Sequence, residues 1–165
     1  MRGPARLLAR QALVCAVAVL VAANLHGQTA TQPSQDLLLG TWRLDLAKST
    51  YVPGPPPRSE TRTYARDGDG VKGTIRRQRA DGRREVIEYR ADFDHEYPVT
   101  GTEAYDTIRL KRIDVRTAEV VLSHAGRVFG RARRVISEDG LTLTIAFRQG
   151  DRETFTNNVA VYRKE

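Results

Sequence analysis

Cysteine is nearly absent from this chain. Of its 165 residues only Cys15 is one, and it lies in the N-terminal apolar stretch. The remainder therefore has no disulfide and no thiol chemistry. Lysine is scarce too: Lys48, Lys72, Lys111 and Lys164 are the whole set, so arginine carries most of the positive charge. The longest apolar run, from Ala12 to Ala23, is about a dozen residues, too short for a comfortable membrane span. No nucleophile elbow, Ser-His-Asp order or zinc-ligand spacing occurs, and no cofactor is expected. After Gly40 no credible helical periodicity is found.

What the chain has is order in its absences. Arg2, Arg6 and Arg10 precede the apolar run, and small residues follow it, which is the layout of a secretory signal peptide. Residues 1–27 are expected to be that signal and 28–36 a flexible polar leader; cleavage after Ala23, Gly27 or Ala30 fits equally. The mature protein is then expected in the periplasm or outside the cell. Its domain, residues 37–165, is large enough for one core and too small for two. The formal charge of +7 falls to +4 without the three arginines of the signal. Nucleic-acid binding is not expected, since no base-stacking motif accompanies the charge.

From Gly40 onward, short alternating runs follow one another, each closed by a turn signal. Strands are predicted over Thr41 to Leu46, Glu60 to Arg66, Val71 to Gln78, Arg84 to Phe93, Asp106 to Ile113, Ala118 to His124, Arg127 to Ile136, Leu141 to Arg148 and Glu153 to Tyr162. Between them stand Asp67-Gly68-Asp69-Gly70, Asp81-Gly82, Ala125-Gly126 and Asp139-Gly140, which suit the positive φ of tight hairpins. Ile87, Tyr89, Ala91 and Phe93 share one face; Leu141, Leu143, Ile145 and Phe147 share another. Arg127 to Ile136 is ambiguous, because Phe129 shares a face with Arg131 and Arg133, and only a bulge would resolve it. An open sheet of this size would leave two long edges. The expectation is an all-β, antiparallel up-and-down barrel of about 8–10 strands.

Charged constellations read as turns. Asp92-Phe93-Asp94-His95-Glu96 has metal-ligand residue types, but neighbours on a strand point to opposite faces, and a charged hairpin is the better account. Asp67-Gly68-Asp69-Gly70 lacks the later Glu of a calcium loop. No metal is expected. His95 and His124 offer acid–base groups only if they reach a pocket. The aromatics are more suggestive. Tyr64, Tyr89, Phe93, Tyr105 and Tyr162 combine apolar walls with hydroxyls that need partners when buried, and are the candidate cavity residues.

Gly40-Thr41-Trp42-Arg43-Leu44 near the domain start and Asn158-Val159-Ala160-Val161-Tyr162-Arg163-Lys164 at its end resemble the calycin group, lipocalins and fatty-acid-binding proteins. The span from Leu37 to Glu165 looks similar to small secreted bacterial lipocalin-like proteins. The resemblance implies a barrel with an internal cavity for a small hydrophobic or amphipathic ligand. It also implies that Trp42 packs at the closed end against a basic side chain, Arg148 or Arg163. Fatty-acid-binding proteins hold a carboxylate with an Arg-x-Tyr pair on the last strand. Here that triplet is Ala160-Val161-Tyr162, so the Tyr is present and the Arg is not. The portal helices of that family are also missing.

The expected function is non-covalent carriage of such a ligand by a monomer. One alternative is an interaction module whose filled barrel presents an arginine-rich outer face (Arg76-Arg77, Arg83-Arg84, Arg133-Arg134) to an anionic envelope surface. A small barrel enzyme is the other.

Overall fold

The computed structural model describes residues 37–149 and 158–165. The expected signal and leader, and the first residues of the last predicted strand, lie outside them.

The strands are β1 (Gly40–Leu44), β2 (Thr50–Tyr51), β3 (Ser59–Asp67), β4 (Gly70–Gln78), β5 (Arg84–Ala91), β6 (Glu96–Thr100), β7 (Thr107–Arg112), β8 (Thr117–His124), β9 (Arg127–Ile136), β10 (Thr142–Gln149) and β11 (Asn158–Lys164). Consecutive strands pair antiparallel, and β1 pairs with both β3 and β11, which closes the sheet. Ten strands form the ring, and β2 lies beside β11 as an extra edge segment. The up-and-down barrel read from the alternation is therefore the fold. Closure leaves no long unpaired edge in the ring.

Two segments depart from the sequence reading. β2 is too short to carry a period. β6 contains Pro98, which donates no ladder bond, and its sequence reads as the end of a charged turn. It still completes the ring, joined to β5 through Glu88↔Thr100 and Tyr89↔Val99 and to β7 through three residues. Leu141 is 57% exposed, not inward, because β10 begins one residue later and leaves it on the turn.

Most of the described hairpins turn at a glycine; the β5–β6 and β7–β8 turns have none. Ala125 and Gly126 both have positive φ, 49° and 74°, between the paired residues His124 and Arg127. That is the geometry a two-residue hairpin needs.

One end of the barrel is sealed. Leu37 and Leu38, in helical conformation, lie across it. Trp42 has no exposed surface, and its indole N–H donates to the Leu38 carbonyl at 2.7 Å. Leu38, Val71, Ile87, Leu110, Ile136 and Leu143 complete this core. The cation over Trp42 is neither Arg148 nor Arg163 but Lys164, whose Nζ lies 5.1 Å from the ring and also donates to the Leu37 carbonyl. The reason is parity. Arg163 faces outward and pairs with Asp45 at 2.8 Å, while Arg148 sits exposed at the other end of β10. Lys164 sits directly opposite Trp42 in the β1–β11 register.

Candidate functional site

The other end is open. A cavity of about 510 Å³ runs from the barrel interior to the loops that carry Pro55, Pro57, Asp81 and Thr102. That volume suits one small organic ligand. Its walls come from inward residues of the alternating strands: Ile75, Tyr89, Ile108, Leu122, Ile145 and Ala160 among them. Near the mouth, Tyr105, Phe129 and Phe147 form an aromatic row with centroid separations of 5.9 and 6.2 Å.

Phe129 reaches the interior through the bulge that the pattern required. Leu122 pairs with Gly130 and Ser123 with Val128, so Phe129 is the extra residue. Its insertion lets both Phe129 and the following even-numbered residues, Gly130, Ala132, Arg134 and Ile136, lie on the inner side. Arg131, Arg133 and Val135 then face outward.

The cavity contains a buried polar cluster. Glu60 is 3% exposed and stands on the inward face of β3, two residues from Arg62 and opposite Arg77 of β4. Arg62 Nε donates to Glu60 Oε1 at 2.6 Å, and the Tyr162 hydroxyl donates to the same oxygen at 2.7 Å. Arg77 Nε donates to Oε2 at 2.5 Å. Burial pushes the Glu60 carboxyl up, but the two guanidiniums and the hydroxyl outweigh it and hold the group at about 2. Burial raises the phenols of Tyr51, to about 12, and of Tyr89, Tyr105 and Tyr162. These hydroxyls are therefore neutral donors at physiological pH.

Arg134 is different. It is 6% exposed, lines the cavity, and lies 5.7 Å from the Tyr64 ring. Among the described residues no carboxylate pairs with it. The lining holds four guanidiniums, Arg62, Arg77, Arg79 and Arg134, against three carboxylates, Glu60, Asp81 and Glu85. Glu60 and Glu85 are engaged by Arg62, Arg77 and Arg79, and Asp81 by Arg83. Arg62, Arg77 and Arg79 thus share two carboxylates, and Arg134 is the lining guanidinium that none approaches among the described residues. A low-dielectric site with one uncompensated donor-rich cation favours an anionic guest group.

A ten-strand closed ring with one sealed end and one open cavity decides the fold. It is a barrel of the lipocalin and fatty-acid-binding-protein kind. The solved structure of a Schistosoma mansoni fatty acid binding protein in complex with arachidonic acid matches at TM-score 0.61 and 14% identity, covering 80% of this chain and 98% of that one. A redesigned β-barrel, mFAP1, bound to DFHBI, matches at TM-score 0.42 and 11% identity, over 80% of this chain and 99% of that one. No family model and no curated protein matches the sequence.

The closed barrel brings Tyr64, Tyr89, Tyr105 and Tyr162 together on the cavity wall. Phe93 is not with them. β5 ends at Ala91, the chain turns at Asp94 with φ 70°, and Phe93 makes only a single bridge to Leu110. Its ring lies under the Arg112 guanidinium at 4.1 Å, outside the cavity lining. Substituting F93A should cost about 2 kcal/mol of stability, as removal of a partly buried ring does. It should leave cavity affinity for a fluorescent amphiphile within twofold; paired urea and fluorescence titrations check both.

The last strand, β11, supplies no guanidinium to the cavity lining. Ala160 lines the cavity and Tyr162 donates to Glu60, so the guanidiniums of this barrel come from β3, β4 and β9 instead. His95, on an exposed turn, and His124, at the end of β8, stand beside Asp92 and Asp106, and neither lines the cavity.

Glu60, Arg62, Arg77 and Arg134 were not among the candidates read from sequence. Their signal was parity. Glu60, Arg62 and Tyr64 alternate on one face of β3, and Arg134 stands between Ala132 and Ile136 on one face of β9. Gly73 is a further missed element. A Cβ there would lie 2.5 Å from the Tyr89 ring, so the glycine makes room for it. The variant G73A should force Tyr89 into the cavity, at about 1–3 kcal/mol of stability and with reduced amphiphile uptake. Thermal melts and probe titration read the two effects.

Proposed function

We propose that the chain is an exported, non-covalent carrier of a small amphipathic molecule with an acidic head. The observation that carries this reading is Arg134: a buried guanidinium without a carboxylate partner among the described residues, on the wall of a 510 Å³ apolar cavity. The head accepts from Arg134, and the apolar body lies along Leu122, Ile145, Phe147 and Phe129 toward the mouth. The fold neighbour that holds arachidonic acid is consistent with this class of guest. The hydroxyls of Tyr64 and Tyr89 supply further donors near the head. Export rests on the N-terminal sequence pattern, and a monomer on the closed ring, which leaves no long strand edge to pair.

Extraction and mass spectrometry of protein purified from its native source is the test. A recurring acidic amphiphile at near one equivalent supports carriage. Protein that is empty and takes up no long-chain carboxylate in titration overturns it.

A further inference from the structure

The outer wall carries a second feature, remote from the cavity mouth. On β7 the outward residues are Arg109 and Lys111; on β9 they are Arg131 and Arg133. The register aligns them in two rows, Arg109↔Val121↔Arg131 and Lys111↔Glu119↔Arg133. Four exposed cations therefore flank β8, with Glu119 between Lys111 and Arg133 and Glu96 of β6 beside Arg109. None of the four makes an ion pair among the described residues.

Toward the sealed end the same face becomes apolar. Ile113 follows Lys111 and is 45% exposed; Val135 follows Arg133 and is 37% exposed. Val115, on the turn between β7 and β8, is 50% exposed and shares a shallow groove with Val135 and Thr117. The Ile113 N–H donates to the Thr117 carbonyl, and Thr117 stands opposite Val135, so Ile113 and Val135 flank Thr117 from its two sides. The acidic groups nearest this tip are Asp114 and Glu138, with Arg116 between them. Asp114 accepts from the N–H groups of Arg116 and Thr117, and Glu138 pairs with Arg116 at 3.5 Å.

We propose that this face docks the barrel on an anionic lipid bilayer. Ile113, Val115 and Val135 enter the interface, and Arg109, Lys111, Arg131 and Arg133 meet the headgroups. An apolar tip backed by a cationic band is the arrangement that adds hydrophobic burial to electrostatic attraction at a charged membrane. Charge alone would fit any polyanion. The exposed valines and isoleucine beside the charges favour a lipid surface, because a soluble polyanion gives them nothing to be buried in. The docked barrel keeps its open end away from the tip, since none of these residues lines the cavity.

The test uses the full chain with C15S and an environment-sensitive dye on V115C. Vesicles of phosphatidylcholine, with or without about one-third phosphatidylglycerol, are titrated in low and high salt. The expected result is a blue shift of the dye on anionic vesicles only, weakened by salt. R131E/R133E should lower vesicle affinity about tenfold or more, and R131Q/R133Q by less. The pair R76E/R84E, which reverses two exposed arginines on β4 and β5, should lower affinity much less. An unshifted dye, or equal losses from both charge-reversal pairs, would overturn the docking face. Binding to dextran sulfate without a dye shift on vesicles would reassign the patch to a soluble polyanion and overturn the lipid surface.

Discussion

Replacing Glu60 with Gln should lower the unfolding free energy by about 3–5 kcal/mol, the usual cost of breaking a buried ion pair by removing one partner. The carboxylate accepts from Arg62, Arg77 and Tyr162, and it is the ion-pair partner of both Arg62 and the inner end of Arg77. Without its charge two guanidiniums remain in the interior with too little compensation. For a domain of this size that is a third or more of the total stability. The neighbouring R76Q, on the outer face of β4, should change stability by no more than about 0.5 kcal/mol. The pH dependence has a definite sign. The folded carboxyl is held at about 2, below its ordinary 4.5. Its contribution is therefore complete above the unfolded pKa and lost as pH falls from 4.5 toward 2. That depression corresponds to roughly 3 kcal/mol. Urea titrations at pH 7, 4 and 3 should show wild type losing stability through this window and E60Q losing less. An E60Q protein as stable as wild type at pH 7 would mean that the cluster is not the buried network described here.

The barrel was legible because its cause is repetitive. A period of two with one apolar face needs a curved sheet around a core, and most hairpins mark themselves with Asp-Gly or a similar pair. What escaped were the places where the period is broken or too short. β6 hides behind Pro98, and Phe129 changes sides through a bulge that only pairing with β8 reveals. The candidate site was legible by half. Tyrosines advertise themselves as amphipathic wall residues, and Tyr64, Tyr89, Tyr105 and Tyr162 do line the cavity. Charged residues point the other way, since Arg and Glu are ordinarily read as surface. Glu60 and Arg62 lie inside because they supply each other's partners across two residues of one strand. Phe93 and Lys164 show the limit of position alone. One continues the face of β5 only on paper, because the strand stops before it. The other takes the place over Trp42 because the β1–β11 register puts it there.

Arg134 should behave in the opposite way to Glu60. The variant R134M removes a buried cation that has no carboxylate partner among the described residues, and a methionine fills the space without a desolvation penalty. The empty barrel should therefore be as stable as wild type or more so, within about 1–2 kcal/mol. Ligand binding should carry the loss. A charge-assisted hydrogen bond is worth about 1.5–3 kcal/mol, so a fluorescent long-chain carboxylate should bind about 10- to 100-fold more weakly. The methyl ester of the same probe presents no charge, and its affinity should change less than threefold. This pairing separates the head from the tail: a steric change would weaken acid and ester alike, whereas loss of a counter-ion weakens only the acid. Equal losses for both probes would show that Arg134 is part of the apolar wall and not the head site. An unchanged acid affinity in R134M, with a loss in R62M, would move the head to the Glu60 cluster, where an incoming carboxylate must compete with one already bound. The geometry argues against that outcome, because Arg62 and Arg77 already donate to Glu60, while no carboxylate among the described residues pairs with Arg134.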